Sequence, residues 1–427
     1  MTTKKPGHHQ RSLLRILTAV FFNTVILFSA PPYVLLVSFD GFRADYLDWY
    51  STPNFHRMAA GGVQAEGLTP VFVTKTFPNH YSIATGMYVE HHGLVGNEFF
   101  APDLNTFYQI SDRTKVEDGR FYGGEPIWVT AEKQGIKTAS YFWVGSEAAI
   151  QGIQPSIWKR YRGSDPFEAR IDSVAAWFQL PAERRPHLVM LYFNEPDDTG
   201  HRFSPRSPQT AAEIQSLDQL LNRLLMKMDS LTIADSLNII LVSDHGMAEI
   251  SPERQIHLDQ LINLDGLKLE GGNPYVFIYG ASEDRLDSIY KQLRSVPHLK
   301  TYKKADIPDR WHFRENNRIK QLLVLADEGW SLFWNPRQKL EQVGGAHGFD
   351  NALRSMAGLF VADGPAFKDG YRRPAFENVN IYPLITYILG LTPNPEIDGE
   401  LYRVQDLLRK ELLKGQKTNP GGQIQPR

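Results

Sequence analysis

Three uninterrupted apolar runs, each closing on an aspartate, constrain this chain more than any other feature: YVLLVSFDG at 33–41, HLVMLYFNEPD at 187–197 and LNIILVSDHG at 237–246. A strand with one wet face alternates polar and apolar residues, so a run without alternation predicts a strand covered on both sides. Helical spacing of apolar residues recurs between and after these runs, over Gln209–Met228 and Tyr382–Leu389. Together these patterns predict an α/β fold with a mostly parallel central sheet flanked by helices. Folds of that class bind ligands at the carboxyl ends of their strands, which is where Asp40, Asp197 and Asp244 fall. The three acidic strand ends are therefore expected to share one site.

The stretch 274–334 has a different texture. Short strand-like pieces, PYVFIYG, QLLVLADE and WSLFW, surround one helical segment at Ser282–Arg294. It reads as a small α+β subdomain inserted in the main fold. At the N-terminus, Lys4, Lys5, Arg11 and Arg15 precede the uncharged run ILTAVFFNTVILFSA, Ile16–Ala30. A basic segment followed by an apolar one of this length is expected to be a signal peptide or an N-terminal anchor, residues 1–30. The catalytic part, 31–413, is then exported to the periplasm or the extracellular space. The polar, Gly- and Pro-containing tail 414–427 is expected to be disordered.

Composition narrows the chemistry. The chain has no cysteine, so any metal must be held by His, Asp and Glu, a donor set that suits zinc, manganese or iron. With 46 basic and 48 acidic residues the net charge is −2, which gives no reason to expect a long nucleic acid as partner. A small anion needs only a local positive site, which bound metal supplies.

Taken singly, the polar clusters have ordinary readings. Asp40 could end a strand in a turn, the pair Asp244-His245 could sit in another, and Asp197 and His201 could be surface polarity around a turn. His347, in GGAHGFDN, could be a loop histidine. Together, three aspartates and three histidines make up two three-ligand sites, each with an open position for catalysis. The nucleophile candidate lies in PVFVTKTFPNHYSIATG, 70–86, where Pro78 opens a helix and places Thr76 at its N-terminus. On local sequence alone Thr76 could equally be a helix cap.

The chain resembles the nucleotide pyrophosphatase/phosphodiesterase family of the alkaline phosphatase superfamily. The resemblance rests on VSFDGFRADYL, TKTFPNHYSIATG, GLVGNEF, EPIWVTAEKQG, YFNEPDDTGH, SDHGM and AHGFDN, in that order along the chain. It implies an alkaline-phosphatase-like fold with two zinc ions. One would be held by Asp197, His201 and His347, the other by Asp40, Asp244 and His245, with Thr76 as exchangeable ligand. Thr76 would attack phosphorus to give a nucleotidyl-threonine intermediate, with Asn97 and the backbone N–H of Phe77 on the phosphoryl oxygens.

The same resemblance implies a nucleotide pocket. Lys75 and Phe77 flank Thr76, and the segment Ser140–Ile171 is similar to the loop that closes the pocket in nucleotide-cleaving members. Trp143, Glu147 and Tyr161 within it, together with Lys115 and Tyr192, match pocket positions, and Tyr161 would stack on the base opposite Phe77. The expected products are nucleoside 5'-monophosphates. Choline phosphodiesters or lysophospholipids are the alternative substrates, and a catalytically silent binding protein of the same fold is the alternative class. No arginine stands beside Thr76 to hold the extra oxygens of a monoester.

Overall fold

The structure, a computed structural model, describes residues 1–2 and 32–413. The expected signal or anchor segment (beyond those first two residues) and the expected tail lie outside the described residues. All three apolar runs are strands, Tyr33–Phe39, Leu188–Phe193 and Leu237–Val242, and every residue in them is buried. Tyr33–Phe39 lies between the other two and is parallel to both. Its side chains alternate between faces: Val34 and Leu36 enter one apolar cluster, Leu35, Val37 and Phe39 the other. Neither face is wet, which is why the sequence shows no alternation.

Among the described residues the sheet has eight strands. In spatial order they are Tyr371–Arg373, Val63–Ala65, Phe360–Asp363, Leu237–Val242, Tyr33–Phe39, Leu188–Phe193, Thr138–Tyr141 and Ile157–Lys159. Both pairings of Phe360–Asp363 are antiparallel and the rest are parallel. Helices Pro208–Asp229 and Phe167–Phe178 pack on one face, and Thr76–Thr85, Ile127–Lys133 and Ile381–Leu389 on the other. The long helix turns Ile214, Leu217, Leu221 and Leu224 inward, the spacing that marked it as helical.

That same helix buries one charge. Asp218 accepts the backbone N–H groups of Asn54 at 2.9 Å and Phe55 at 3.1 Å, and the Asn54 amide at 2.6 Å. The helix Pro53–Gly61 has no cap from its own Thr52 side chain, so a distant helix supplies it. Replacing Asp218 by Leu is expected to leave buried N–H groups unpaired and to cost about 1–3 kcal/mol, read as a lower urea midpoint at unchanged slope.

The register decides where the site forms. Ser38 stands opposite both Tyr192 and Val242, so the three central strands end at one level. The Asp40 N–H donates to the Phe193 carbonyl at 3.0 Å, which carries the ladder up to the first aspartate.

A second, four-stranded antiparallel sheet is formed by Lys268–Gly272, Tyr275–Tyr279, Leu322–Ala326 and Leu299–Lys303. Helix Glu283–Leu293, capped by the Ser282 hydroxyl, covers one face through Leu286, Ile289 and Leu293. The first of these strands precedes Pro274, and Ser331–Phe333 instead pairs in parallel with Gln255–His257.

Candidate active site

The strand ends bring Asp40, Asp197 and Asp244 together with His201, His245 and His347. Asp197, His201 and His347 offer ligand atoms within 4.8 Å of one another, and so do Asp40, Asp197 and His245. His245 Nε2 lies 3.0 Å from Asp244 Oδ2 and 3.4 Å from Asp40 Oδ1. Close approach here depends on Gly41, whose φ of +67° suits glycine. A Cβ there would meet Asp197 at 2.9 Å.

The three histidines are anchored alike. His201 Nδ1 contacts the Gly345 carbonyl at 2.8 Å, His245 Nδ1 that of Gly246 at 2.9 Å, and His347 Nδ1 that of Thr74 at 2.7 Å. A carbonyl can only accept, so each Nδ1 carries the proton and each Nε2 presents a lone pair to the cluster. The carboxylates are similarly half-committed. Tyr192 donates to Asp40 Oδ2 at 2.6 Å, and Gly41 N–H donates to Asp244 Oδ1 at 3.2 Å. Asp40 Oδ1, Asp197 Oδ1 and Asp244 Oδ2 are buried with no hydrogen-bond partner among the described residues.

Burial and the charges of Asp244 and Asp197 hold the Asp40 carboxyl well above the usual range. For Asp244 burial acts in the same direction, but the positive charge that His245 and His80 carry when protonated outweighs it and keeps the group well below that range. Burial, with His245, Lys75 and His201 beside it, pushes His347 well down. Orphaned carboxylate oxygens facing imidazole lone pairs are what a divalent cation satisfies, so these residues fit metal ligation.

His80 is a fourth histidine that sequence reasoning passed over. It lies one helical turn after Thr76, with Nδ1 3.0 Å from the Thr76 carbonyl and 3.3 Å from Asp244 Oδ2. Ser38 Oγ sits 2.8 Å from its Nε2. Asp40, His80 and Asp244 also lie within 4.8 Å of one another, but both His80 nitrogens are engaged, by Thr76 and Ser38, so His80 has no free lone pair to offer as a ligand. Its i, i+4 spacing from Thr76 in the TFPNH motif was the available signal.

Thr76 is the first residue of its helix, Thr76–Thr85, and its side chain caps nothing; Oγ1 lies 3.2 Å from His245 Nε2. Asn97 Oδ1 accepts the Phe77 N–H at 3.1 Å. That bond occupies the donor expected to serve the phosphoryl oxygens and leaves the Asn97 amide N–H₂ available instead.

A cavity of about 340 Å³ opens on the cluster, within the range of small-molecule sites. Asp40, Thr76, Asp197, His201 and His347 line it, as do Phe77, Asn97, Trp143, Glu147, Tyr161 and Tyr192. The two expected lysines do not. Lys75 turns its ammonium to the main-chain carbonyls of Asn273 at 2.8 Å and His347 at 2.9 Å, and burial lowers it to about 8. Lys115 sits on the short helix Arg113–Val116, whose Arg113 and Val116 face the cavity. Residue 115 is rotated off that stripe. Arg113 is a wall residue the sequence reading missed; its signal was a second basic residue two positions from Lys115.

The family model for type I phosphodiesterase / nucleotide pyrophosphatase matches residues 34–350. The chain belongs to this family, and it is a phosphoric diester hydrolase of the nucleotide pyrophosphatase/phosphodiesterase class. It is 37% identical over 403 residues to human ectonucleotide pyrophosphatase/phosphodiesterase family member 5, covering 93% of this chain and 82% of that one. To human family member 1 it is 38% identical over 387 residues, 86% of this chain but 41% of the relative. The solved structure of murine family member 5 superposes with a TM-score of 0.84 at 37% identity, covering 88% of this chain and 100% of that one. An inactive threonine-to-alanine variant of that murine protein has been solved with AMP, with a TM-score of 0.84 at 36% identity and the same coverage.

Proposed function

We propose that the chain hydrolyses nucleotide phosphodiester or phosphoanhydride bonds to nucleoside 5'-monophosphates, with Thr76 as nucleophile and two zinc ions as cofactor. The observation that carries this reading is the convergence of three orphaned carboxylate oxygens and three Nδ1-anchored histidines beside the uncapped hydroxyl of Thr76. Asp197, His201 and His347 would hold one ion, and Asp40, Asp244 and His245 the other. When bound, the ions neutralise the carboxylates, lower the pKa of the Thr76 hydroxyl and of water, and stabilise charge on the phosphoryl oxygens.

The chain's own residues do the rest. Thr76 Oγ1 forms a bond to phosphorus as the opposite ester or anhydride bond breaks, leaving a nucleotidyl-threonine. Water then breaks that bond from the vacated side and releases the 5'-monophosphate. Thr76 at N1 places the phosphoryl group against a helix N-terminus, whose dipole favours anionic oxygens. The Asn97 amide, turned by its bond to Phe77, donates to a non-bridging oxygen. Tyr192 holds Asp40 in place from the pocket floor.

The base would lie between Phe77 and Tyr161, the latter 40% exposed at the cavity. Tyr161→Ala is expected to raise KM for nucleoside 5'-monophosphate aryl esters about tenfold with a smaller change in kcat, because stacking is worth roughly 1–3 kcal/mol per base. Arg113 in the wall disfavours choline esters, since a guanidinium repels a trimethylammonium group. Product analysis with ATP, a dinucleoside polyphosphate, a cyclic dinucleotide and glycerophosphocholine tests the reading. Release of 5'-monophosphates is the expected result, and cleavage of glycerophosphocholine alone would overturn it. The relatives' description as ecto-enzymes supports export of this chain. Among the described residues no helix is long and apolar enough to cross a membrane.

A further inference from the structure

Arg113 and Glu147 form a unit in the cavity wall, apart from the segments that carry the carboxylate–histidine cluster. Glu147 is buried, 7% exposed. Its Oε1 accepts the backbone N–H of Tyr161 at 3.0 Å and its Oε2 pairs with Arg113 Nη2. Both oxygens are thus engaged, and one carboxylate fixes both the guanidinium and the main chain of the aromatic that faces the ligand. Arg113 is far from saturated. Glu117 approaches Nη2 only at 3.5 Å and Nη1 makes no hydrogen bond among the described residues, so the Nη1–Nη2 end of the guanidinium keeps donors for a ligand, while Nε is buried. A planar cation held by a buried carboxylate, with donors left over, is built to meet acceptors of a ligand.

We infer that Arg113, positioned by Glu147, reads the edge of the nucleobase and selects guanine over adenine. The inference rests on the nucleotide reading of this cavity. A guanidinium offers only donors. Guanine presents two adjacent acceptors, N7 and O6, on its major-groove edge, whereas adenine presents one acceptor, N7, beside the N6 amino donor. Adenine would therefore set a donor against a donor. The carboxylate that could accept from N6 is Glu147, whose Oε2 and Oε1 already accept from Arg113 and from the Tyr161 N–H, so an adenine amino group would have to share an oxygen with one of those donors. Stacking between Phe77 and Tyr161 is indifferent to the base, so the discrimination falls to Arg113.

The test is kcat/KM for the p-nitrophenyl 5'-monophosphate esters of guanosine and adenosine, measured on the metal-replete enzyme. The wild type is expected to favour guanosine about tenfold or more, the usual scale of a well-placed bidentate contact. In Arg113→Met that ratio should fall to near one, chiefly through loss of the guanosine rate. Arg113→Lys keeps the charge and loses the planar fork, so it should lose the preference as well and covers the case in which the Met variant does not fold. A wild-type ratio near or below one, or a ratio that survives in both variants, overturns the inference while leaving a nucleotide phosphodiesterase in place. Wild-type cleavage of bis(p-nitrophenyl) phosphate with no cleavage of either nucleoside ester overturns the nucleotide reading, and this inference with it.

Discussion

Thr76→Ala is expected to lower kcat on nucleotide diesters by about 10⁴-fold or more, the scale seen when a covalent nucleophile is removed from a hydrolase. The fold should be indifferent to the change. Thr76 is half-buried, occupies the first helical position, and its hydroxyl caps no backbone N–H, so alanine loses only the contact of Oγ1 with His245 Nε2 and gains helix propensity. The thermal midpoint should therefore stay close to that of the wild type, and metal content should not fall, because the three aspartates and three histidines remain. Kinetics, a thermal melt and elemental analysis on one preparation separate the outcomes. Retention of a large fraction of activity would remove Thr76 from the chemistry. Loss of activity together with loss of metal or of fold would assign it a structural role.

Metal removal should have an effect of similar size. Dialysis against a chelator is expected to abolish turnover, and added zinc to restore it with about two ions per chain, the number that two three-ligand sites accommodate. Stability should follow. The apo cluster holds Asp40 among the negative charges of Asp244 and Asp197, with three carboxylate oxygens left without partners. Zinc relieves that repulsion only in the folded state, so the thermal midpoint should rise with zinc concentration, by an amount equivalent to about 4 kcal/mol at a thousandfold excess over Kd. An enzyme that keeps full activity and an unchanged melt after exhaustive chelation would refute the metal assignment.

Much of the architecture was legible in advance because burial on both faces writes itself into sequence. Leu35 and Leu36 look outward to opposite apolar clusters, and no polar residue could replace either without being stranded. The helix expected at Gln209–Met228 runs Pro208–Asp229, and the one expected at Tyr382–Leu389 runs Ile381–Leu389, each set by its inward stripe. Less visible was the pairing of short strands. The pieces between 274 and 334 were expected to form one subdomain, yet Ser331–Phe333 joined Gln255–His257 rather than its sequence neighbours, because three-residue strands take the edge that the tertiary fold leaves open.

At the site the division follows the same physics. Residue types and strand ends by themselves determined that Asp40, Asp197 and Asp244 would meet at one edge, since parallel strands of matched register finish together. Which side chains face the cavity was decided only by the tertiary structure. His245 turns its Nε2 to Thr76 and the carboxylates and His80 does not, because the carbonyl of Gly246 takes the Nδ1 proton of one while Ser38 and Thr76 occupy both nitrogens of the other. Lys75 turns away to Asn273 and His347, and Arg113 takes the wall in place of Lys115 by one step of helical phase. Such choices rest on partners up to 272 residues distant in the chain, and local sequence carries no record of them.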